Sequence, residues 1–600
     1  MLKFLLNIKE NAVNFYSDES EWKWLFNNAV DWDSIINLYY PEFPTEDGFE
    51  TADDVKQFLE ELITSTGDWA ANSVKEIGEQ LNNEGAGSVV DGRTVLGPAL
   101  ERLYKEAKEL SVYGLPLPRE YGGLETPALI YMMFLGQLSR SCMASSSQIA
   151  FFTSMGEMIY RYCDDETKER LIPKVIAGEI SGSMNLTEPG CGSDLGMMKT
   201  SAVLQEDGTY LLNGSKIFIT NGGGGVAFVL AKVKGDPDNL SGISMFFVEQ
   251  DHPGKEGLNF TVAKNEDKMG MKGSFTTEIV YENTVAKLVG EQGKGFKYML
   301  HLMNEARICV GIQALGTIEA GLSYAREYAE GRVQFGKSIA DLPLFKRNME
   351  DYETERDAIR AMLMDTMSKF DQYLYLENKR QASGDLNKEE KELFDDMWLW
   401  TRKRTPLVKY YACEAATNLT QRAIQMLGGY GYMNEYPVER YHRDSFGPLL
   451  YEGTSQIQAL MALKDIIKYA IKDPKSFFSN VFFKHPGAQL LSGAEEWHKE
   501  FNSVHYRFKK KMLGLLFKSL KPEASKMLDF KNWANEDNVN GLMEHAETLC
   551  QALSYMETLR VLAEHADKDS SRSKLFHRYK LLIEPRLEAI YTDWKLRAGS

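Results

Sequence analysis

A chain of 600 residues with 43% hydrophobic content carries enough apolar surface for several cores, so a multidomain protein is expected. Its formal charge of −17 argues against nucleic-acid binding, which needs clustered cations. No apolar run approaches the roughly 20 residues of a membrane span. The six cysteines lie apart with no CxxC pair and the nine histidines form no HExxH, so no disulfide framework or metal site is expected and a reducing cytoplasm fits.

The first twenty residues, MLKFLLNIKENAVNFYSDES, mix acids and bases and show no small-residue cleavage site, which fits neither a secretion signal nor an Arg-rich transit peptide. Residues 1 to 180 read as helices, with clear periodicity in ADDVKQFLEELITSTGDWAANSVKEIGEQL and PALIYMMFLGQLSRS and a turn-rich break at YGLPLPREYGG (113–123). From 185 to 285 the character changes to short alternating stretches: GTYLLNGSKIFITNGGGG, VAFVLAKV, SGISMFFVEQ and FTTEIVYENT. That is an all-β module, with Asn213-Gly214 as its hairpin signal.

After GEQGKGF (290–296), the periodic run FKYMLHLMNEARICVGIQALGTIEAGLSYAREYAEGR is too long for an ordinary surface helix and indicates a helical bundle. QASGDLNKEEKELFDD (381–396) reads as a polar looped insertion. Residues 475 to 600 are again helical, charged and aromatic, and no solenoid repeat is present. Within them HYRFKKKMLGLLFKSLKP (505–522) is basic and apolar, which suits either a packing helix with a solvated basic face or docking at a membrane surface.

Five segments carry more chemistry than packing needs. In LLYEGTSQIQALMAL (449–463) a lone carboxylate, Glu452, stands among apolar residues just before a periodic helix. Ser455 and Gln458 have capping-box spacing, so Thr454 or Ser455 caps that helix, and Glu452 either complements the helix dipole or is used chemically. NLTEPGCGSD (185–194) has glycines that let a ligand approach, with Thr187, Ser193 and backbone N–H groups to bind pyrophosphate or ring heteroatoms; alone it is equally a turn. In KIFITNG (216–222) Phe218 and Thr220 share one face of a strand, which suits an isoalloxazine or a sheet core. GRVQFGK (331–337) and QMLGGYGY (425–432) admit an adenine or phosphate or are plain helix ends. None is a Rossmann fingerprint.

Taken in order, these motifs resemble the acyl-CoA dehydrogenase family from about residue 60 to 470: LTEPGCGSD, LNGSKIFITNG, MGMKGSFTTEIVYENTVA with LVGEQGKGF, YAEGRVQFGKSI, QMLGGYGYMNEYPVERYHRD and YEGTSQIQ. The resemblance implies an α+β, mostly α, fold. It would comprise an N-terminal extension (1–55), a helical domain (56–183), a barrel-like β-domain (184–295), a four-helix bundle (296–472) and an added C-terminal helical domain (473–600). It implies FAD held between bundle, β-domain and a neighbouring subunit. The two extensions resemble a long bacterial branch that includes 3-methylmercaptopropionyl-CoA dehydrogenase, and imply a homodimer.

By the same resemblance Glu452 is the base that removes the proton alpha to an acyl-CoA thioester. The family's alternative base position is Ala306, and Glu305 stands one residue, about 100° of helix, away from it. Leu186, Thr187, Ser193, Phe218, Thr220, Arg332, Phe335, Gln425, Gly428, Gly429, Thr454 and Gln456 would bind FAD; Ser193, Asn304, Arg307 and Gly453 would contact substrate. The Glu452 N–H would help hold the thioester oxygen, and Leu449 and Leu450 would desolvate the carboxylate. A hydride would leave Cβ for the flavin, giving a trans-2-enoyl-CoA, with electrons passing to an electron-transfer flavoprotein. Departures from the family pattern are Asn185, Cys191 and Phe218, each large enough to tune potential or acyl choice. The rival readings are an acyl-CoA oxidase, a nitroalkane-type oxidase, which would prefer Asp at position 452, and a non-catalytic flavin-bearing interaction protein, which would want a basic groove.

Overall fold

The computed structural model describes residues 13–472, 492–520 and 536–598. The opening residues 1–12 and parts of the C-terminal extension (473–491, 521–535) lie outside the described residues, and with them most of the N-terminal stretch read for a targeting signal. The chain forms two compact units: Met1–Glu19 with Ile35–Cys309, and Ser20–Ser34 with Val310–Ser600.

The first unit begins with helices. Ala52–Trp69 starts on a capping box in which Thr51 accepts from the Asp54 N–H while Asp54 answers the Thr51 N–H. Ala128–Ser141 is buried all round, and Met143–Tyr162 and Asp165–Ile176 follow it. Between these helices lies a hairpin absent from the sequence reading, β1 (Gly87–Val90) and β2 (Arg93–Leu96). Its turn is Asp91-Gly92, both at positive φ, the pairing that two-residue hairpins favour.

The β-module then folds from β3 (Ser181–Asn185), β4 (Ser201–Leu204), β5 (Tyr210–Thr220), β6 (Gly225–Val233), β7 (Ile243–Glu249), β8 (Thr261–Asn265) and β9 (Thr276–Val289). The run β6–β4–β5–β9–β7 closes on itself through the β6–β7 pairing, with β3 added on β6 and β8 on β9. Closure gives each strand of that run a neighbour on both sides and encloses a core that includes Leu212, Ile219, Phe246, Ile279 and Tyr281. Asn213-Gly214 is not a hairpin turn: β5 runs straight through it, and Gly214, at φ 151°, makes a bulge where a Cβ would meet Thr200 Oγ1 at 2.5 Å. The turn into β5 is at Asp207-Gly208 instead, where Asp207 accepts from the Thr209 N–H at 2.9 Å.

The second unit is helical. The end of the long helix Gly295–Gly331 is followed by Pro343–Ser383, Lys388–Leu427, Val438–Leu450 and Ser455–Lys472. The polar stretch 381–396 is not a looped insertion. Only 384–387 is non-helical: Gly384 ends one helix at φ 79° and Asn387 opens the next in a capping box with Glu390. Ala546–Lys568 and Ser573–Arg597 pack beside these helices, and Glu496–Leu520 packs on those two in turn. The basic helix Glu496–Leu520 buries Phe508, Met512, Leu515, Leu516 and Leu520, so its apolar face is spent on packing rather than presented to a membrane; Lys521 and Pro522 lie outside the described residues. Among the described residues one helix, Gly295–Gly331, has the length and apolar composition of a membrane span, and its apolar window is 89% buried in protein.

Candidate active site

The first unit presents the loop between β3 and β4. Its hub is Glu188, whose carboxylate accepts from the Lys199 and Thr200 N–H groups at 2.6 and 3.1 Å and from Lys216 Nζ at 2.8 Å. Glu188 and Cys191 exchange two main-chain hydrogen bonds, closing the turn at Pro189-Gly190. The Ile217 N–H donates to the Thr187 carbonyl, tying the loop to β5. The result is a fixed loop that leaves Leu186 and Thr187 half-buried, Ser193 exposed, and Gly190 with nothing within 4 Å of where a Cβ would stand.

Sequence reasoning did not single out Glu188 or Lys216. The signal was a lysine alternating into the core face of β5, where it is fully buried. Burial holds the Lys216 ammonium down to about 8, against the pull of Glu188.

On the same strand Phe218 is 61% exposed and Thr220 is half-buried. Asn185 is fully buried and donates to the Tyr281 hydroxyl, so it serves the β-module's interior, and Cys191 is buried with Sγ on the Asp194 carbonyl. Asn304 and Arg307 meet on the helix Gly295–Gly331, Arg307 Nη1 donating to Asn304 Oδ1 at 2.9 Å. Glu305 beside them is buried and hydrogen bonded to Glu157; burial first, and then Glu305 itself, raises Glu157 well above the carboxylate range.

The second unit carries the rest. Val333–Gln334 and Lys337–Ser338 form a small hairpin whose turn, Phe335-Gly336, has φ 52° and 79° and leaves the Phe335 ring 90% exposed. The Arg332 guanidinium lies 5.7 Å from the Tyr430 ring centre. Gln425, Gly428 and Gly429 are exposed, and both glycines have open space where a Cβ would project.

Beyond helix Val438–Leu450, Glu452 and Gly453 stand at φ 56° and 89°. A Cβ on Gly453 would meet Gln458 Nε2 at 2.7 Å. Thr454, not Ser455, caps the next helix: its Oγ1 accepts from the Ile457 N–H at 3.4 Å, while Ser455 Oγ is buried without a partner among the described residues. Gln458 completes no capping box, because its amide serves the carbonyls of Glu452 and Gly453. Gln456 and Leu450 are exposed, and Leu449 and Glu452 are half-buried.

Non-glycine residues rarely adopt positive φ, at a cost of about 1–3 kcal/mol each, and such strain gathers where function demands it. Among the described residues nine do so, and three of them are Phe218, Phe335 and Glu452. Two are aromatic rings turned to solvent and the third is the lone carboxylate of the YEGT turn.

Three domain models match the chain: acyl-CoA dehydrogenase N-terminal domain at 90–179, middle domain at 183–284 and C-terminal domain at 293–467. The chain belongs to the acyl-CoA dehydrogenase family. It is 35% identical over 370 residues to an acyl-CoA dehydrogenase of Bacillus subtilis, covering 61% of this chain and 89% of that one. A structure from work on the electron transferring flavoprotein of Acidaminococcus fermentans matches with TM-score 0.57 at 28% identity, over 71% of this chain and 99% of that one. An acyl-CoA dehydrogenase of Bacillus anthracis complexed with FAD shares the fold at TM-score 0.70 and 21% identity, over 100% of this chain and 92% of that one.

The protein is thus an oxidoreductase acting on acyl-CoA, with FAD as the family's cofactor. Each unit by itself carries residues that suit that cofactor: in the first an exposed Phe218 ring and an open backbone at Gly190, in the second an exposed Phe335 ring and open backbones at Gly428 and Gly429.

Proposed function

We propose that this acyl-CoA dehydrogenase converts an acyl-CoA thioester to its trans-2-enoyl-CoA, with Glu452 as the base. The observation that carries the reading is the Glu452 turn itself. A carboxylate is held at φ 56° in a fixed main-chain turn, next to a glycine at φ 89°, where a side chain would be strained. Removing a proton alpha to a thioester requires a base within reach and donors on the carbonyl oxygen, where charge develops. Glu452 takes the α-proton on its carboxylate, and its own N–H is one donor to the thioester oxygen. FAD, when bound, supplies the acceptor for the hydride leaving Cβ.

Leu186, Thr187, Ser193, Phe218 and Thr220 in the first unit, and Arg332, Phe335, Gln425, Gly428, Gly429, Thr454 and Gln456 in the second, are assigned to FAD. Asn304, Arg307, Ser193 and Gly453 are assigned to the acyl-CoA. The domain limits stay as read from the sequence: 1–55, 56–183, 184–295, 296–472 and 473–600. An electron-transfer flavoprotein is the assigned acceptor, a homodimer the assigned state and the cytoplasm the assigned compartment, the last because all six cysteines are free.

Product analysis tests the reaction. The holoenzyme is incubated with butyryl-, octanoyl- or palmitoyl-CoA and either an electron-transfer flavoprotein or oxygen. A trans-2-enoyl-CoA formed only with the flavoprotein supports the reading. Equal turnover with oxygen supports the oxidase, and no enoyl product from any thioester overturns both.

A further inference from the structure

The Glu452 turn is held by two buried side chains: Lys409, which lies in none of the motifs above, and Gln458, which the sequence offers only as a capping partner. Lys409 lies on the helix Lys388–Leu427, in the stretch LVKYYACEAA, and is fully buried. Its Nζ donates to the Gly453 carbonyl at 2.7 Å. Gln458 lies on the helix Ser455–Lys472, is also fully buried, and donates Nε2 to the Glu452 carbonyl at 3.0 Å and to the Gly453 carbonyl at 3.2 Å.

These bonds reach the two consecutive residues with positive φ. A left-handed glutamate relaxes toward ordinary backbone angles unless its surroundings over-determine it. Fixing the carbonyls of Glu452 and Gly453 fixes the intervening main chain, and with it the direction in which the Glu452 side chain leaves. A lysine is a costly way to fill volume in a helix interior, because its ammonium must be desolvated, whereas a methionine fills the same space without charge. The charge-assisted bond to Gly453 gives that ammonium a task that methionine lacks.

We propose that Lys409 is a positioning residue for the dehydrogenation, acting through the Gly453 carbonyl to aim Glu452, with Gln458 as the second clamp. The inference rests on Glu452 being the base.

The test uses the FAD-loaded enzyme and rapid anaerobic mixing with whichever of butyryl-, octanoyl- and palmitoyl-CoA the wild type oxidises fastest. The variants are Lys409→Met, Lys409→Arg, Gln458→Met and Glu452→Gln. Lys409→Met is expected to keep FAD and bind the thioester normally, yet to lower the flavin reduction rate about 10²-fold, the scale of a 1 Å misplacement. Lys409→Arg should restore part of the rate, with thioester affinity unchanged in both variants. If Lys409→Met does not fold, Gln458→Met carries the test, with a smaller loss of rate expected. Wild-type rates in the folded variants, beside an inactive Glu452→Gln, overturn the positioning role alone. An undiminished Glu452→Gln overturns the base reading instead.

Discussion

Lys216 Nζ sits 2.8 Å from the Glu188 carboxylate, with the lysine fully buried and the glutamate nearly so. The same carboxylate collects the N–H groups of Lys199 and Thr200, so one ion pair fastens both ends of the loop that carries Leu186, Thr187 and Ser193. Removing one partner of a buried pair leaves an uncompensated charge, at a cost of about 3–5 kcal/mol. Glu188→Gln is expected to lower the stability of the first unit by that amount in urea unfolding. Hydrogen exchange at the Lys199 and Thr200 amides should accelerate. Unchanged protection at those two amides would remove the hub role.

A second buried network joins the C-terminal extension to the helices before it. Arg404 pairs with Glu557, which also holds Arg560, and Asp365 faces both arginines. Despite burial, the two guanidinium groups hold the Glu557 carboxyl down to about 2. The sign follows from linkage. The unfolded chain binds a proton near pH 4.5 that the native chain refuses, so this contribution is full above that pH and is lost as pH falls toward about 2. Glu557→Gln should cost about 3–5 kcal/mol at neutral pH and flatten the acid limb of the stability curve. Limited proteolysis should release residues 546–597 sooner.

The Glu157–Glu305 pair has the opposite sign. Burial raises both carboxyls, and they share a hydrogen bond beside Arg161. Between the unfolded value near 4.5 and the raised native values, the native state holds more protons than the unfolded chain, so stability falls as pH rises through that window. Melting temperatures of Glu157→Gln should therefore decline less than those of the wild type from pH 5 upward. Parallel curves would show that the pair does not titrate in that range.

Phe218 and Phe335 are strained and exposed at once, 61% and 90%. Exposed rings contribute little to folding, so Phe218→Ala and Phe335→Ala should leave the apoprotein's melting temperature within about 1 °C or raise it slightly. FAD retained after gel filtration should fall severalfold in each. Full retention in both would leave their strain without a cofactor explanation.

The proposed site could be read from the sequence because its candidate residues lie in contiguous motifs: YEGT, LTEPGCGSD and KIFITNG each keep them within a few positions. The long helices were legible for the same local reason, since their apolar period persists over many turns. Much of what escaped depends on partners distant in the chain. Gly214 reads as a hairpin signal, but Thr200 packs where its side chain would be and β9 pairs across it, so the strand continues through a bulge. The polar run at 381–396 reads as a loop because composition hides the Asn387–Glu390 box that starts a helix there. Lys409 lies forty-four residues before the carbonyl it serves. Its only local trace is a lysine in a mainly apolar stretch.

The most direct measurement is an anaerobic titration of wild type and Glu452→Gln with short-, medium- and long-chain acyl-CoAs, following the flavin absorbance. The account predicts rapid bleaching of the wild type by one thioester class and no bleaching of Glu452→Gln, which should keep its FAD and its fold. Bleaching of the variant at the wild-type rate would contradict Glu452 as the base. A wild-type flavin that no acyl-CoA bleaches would contradict the dehydrogenase reading itself.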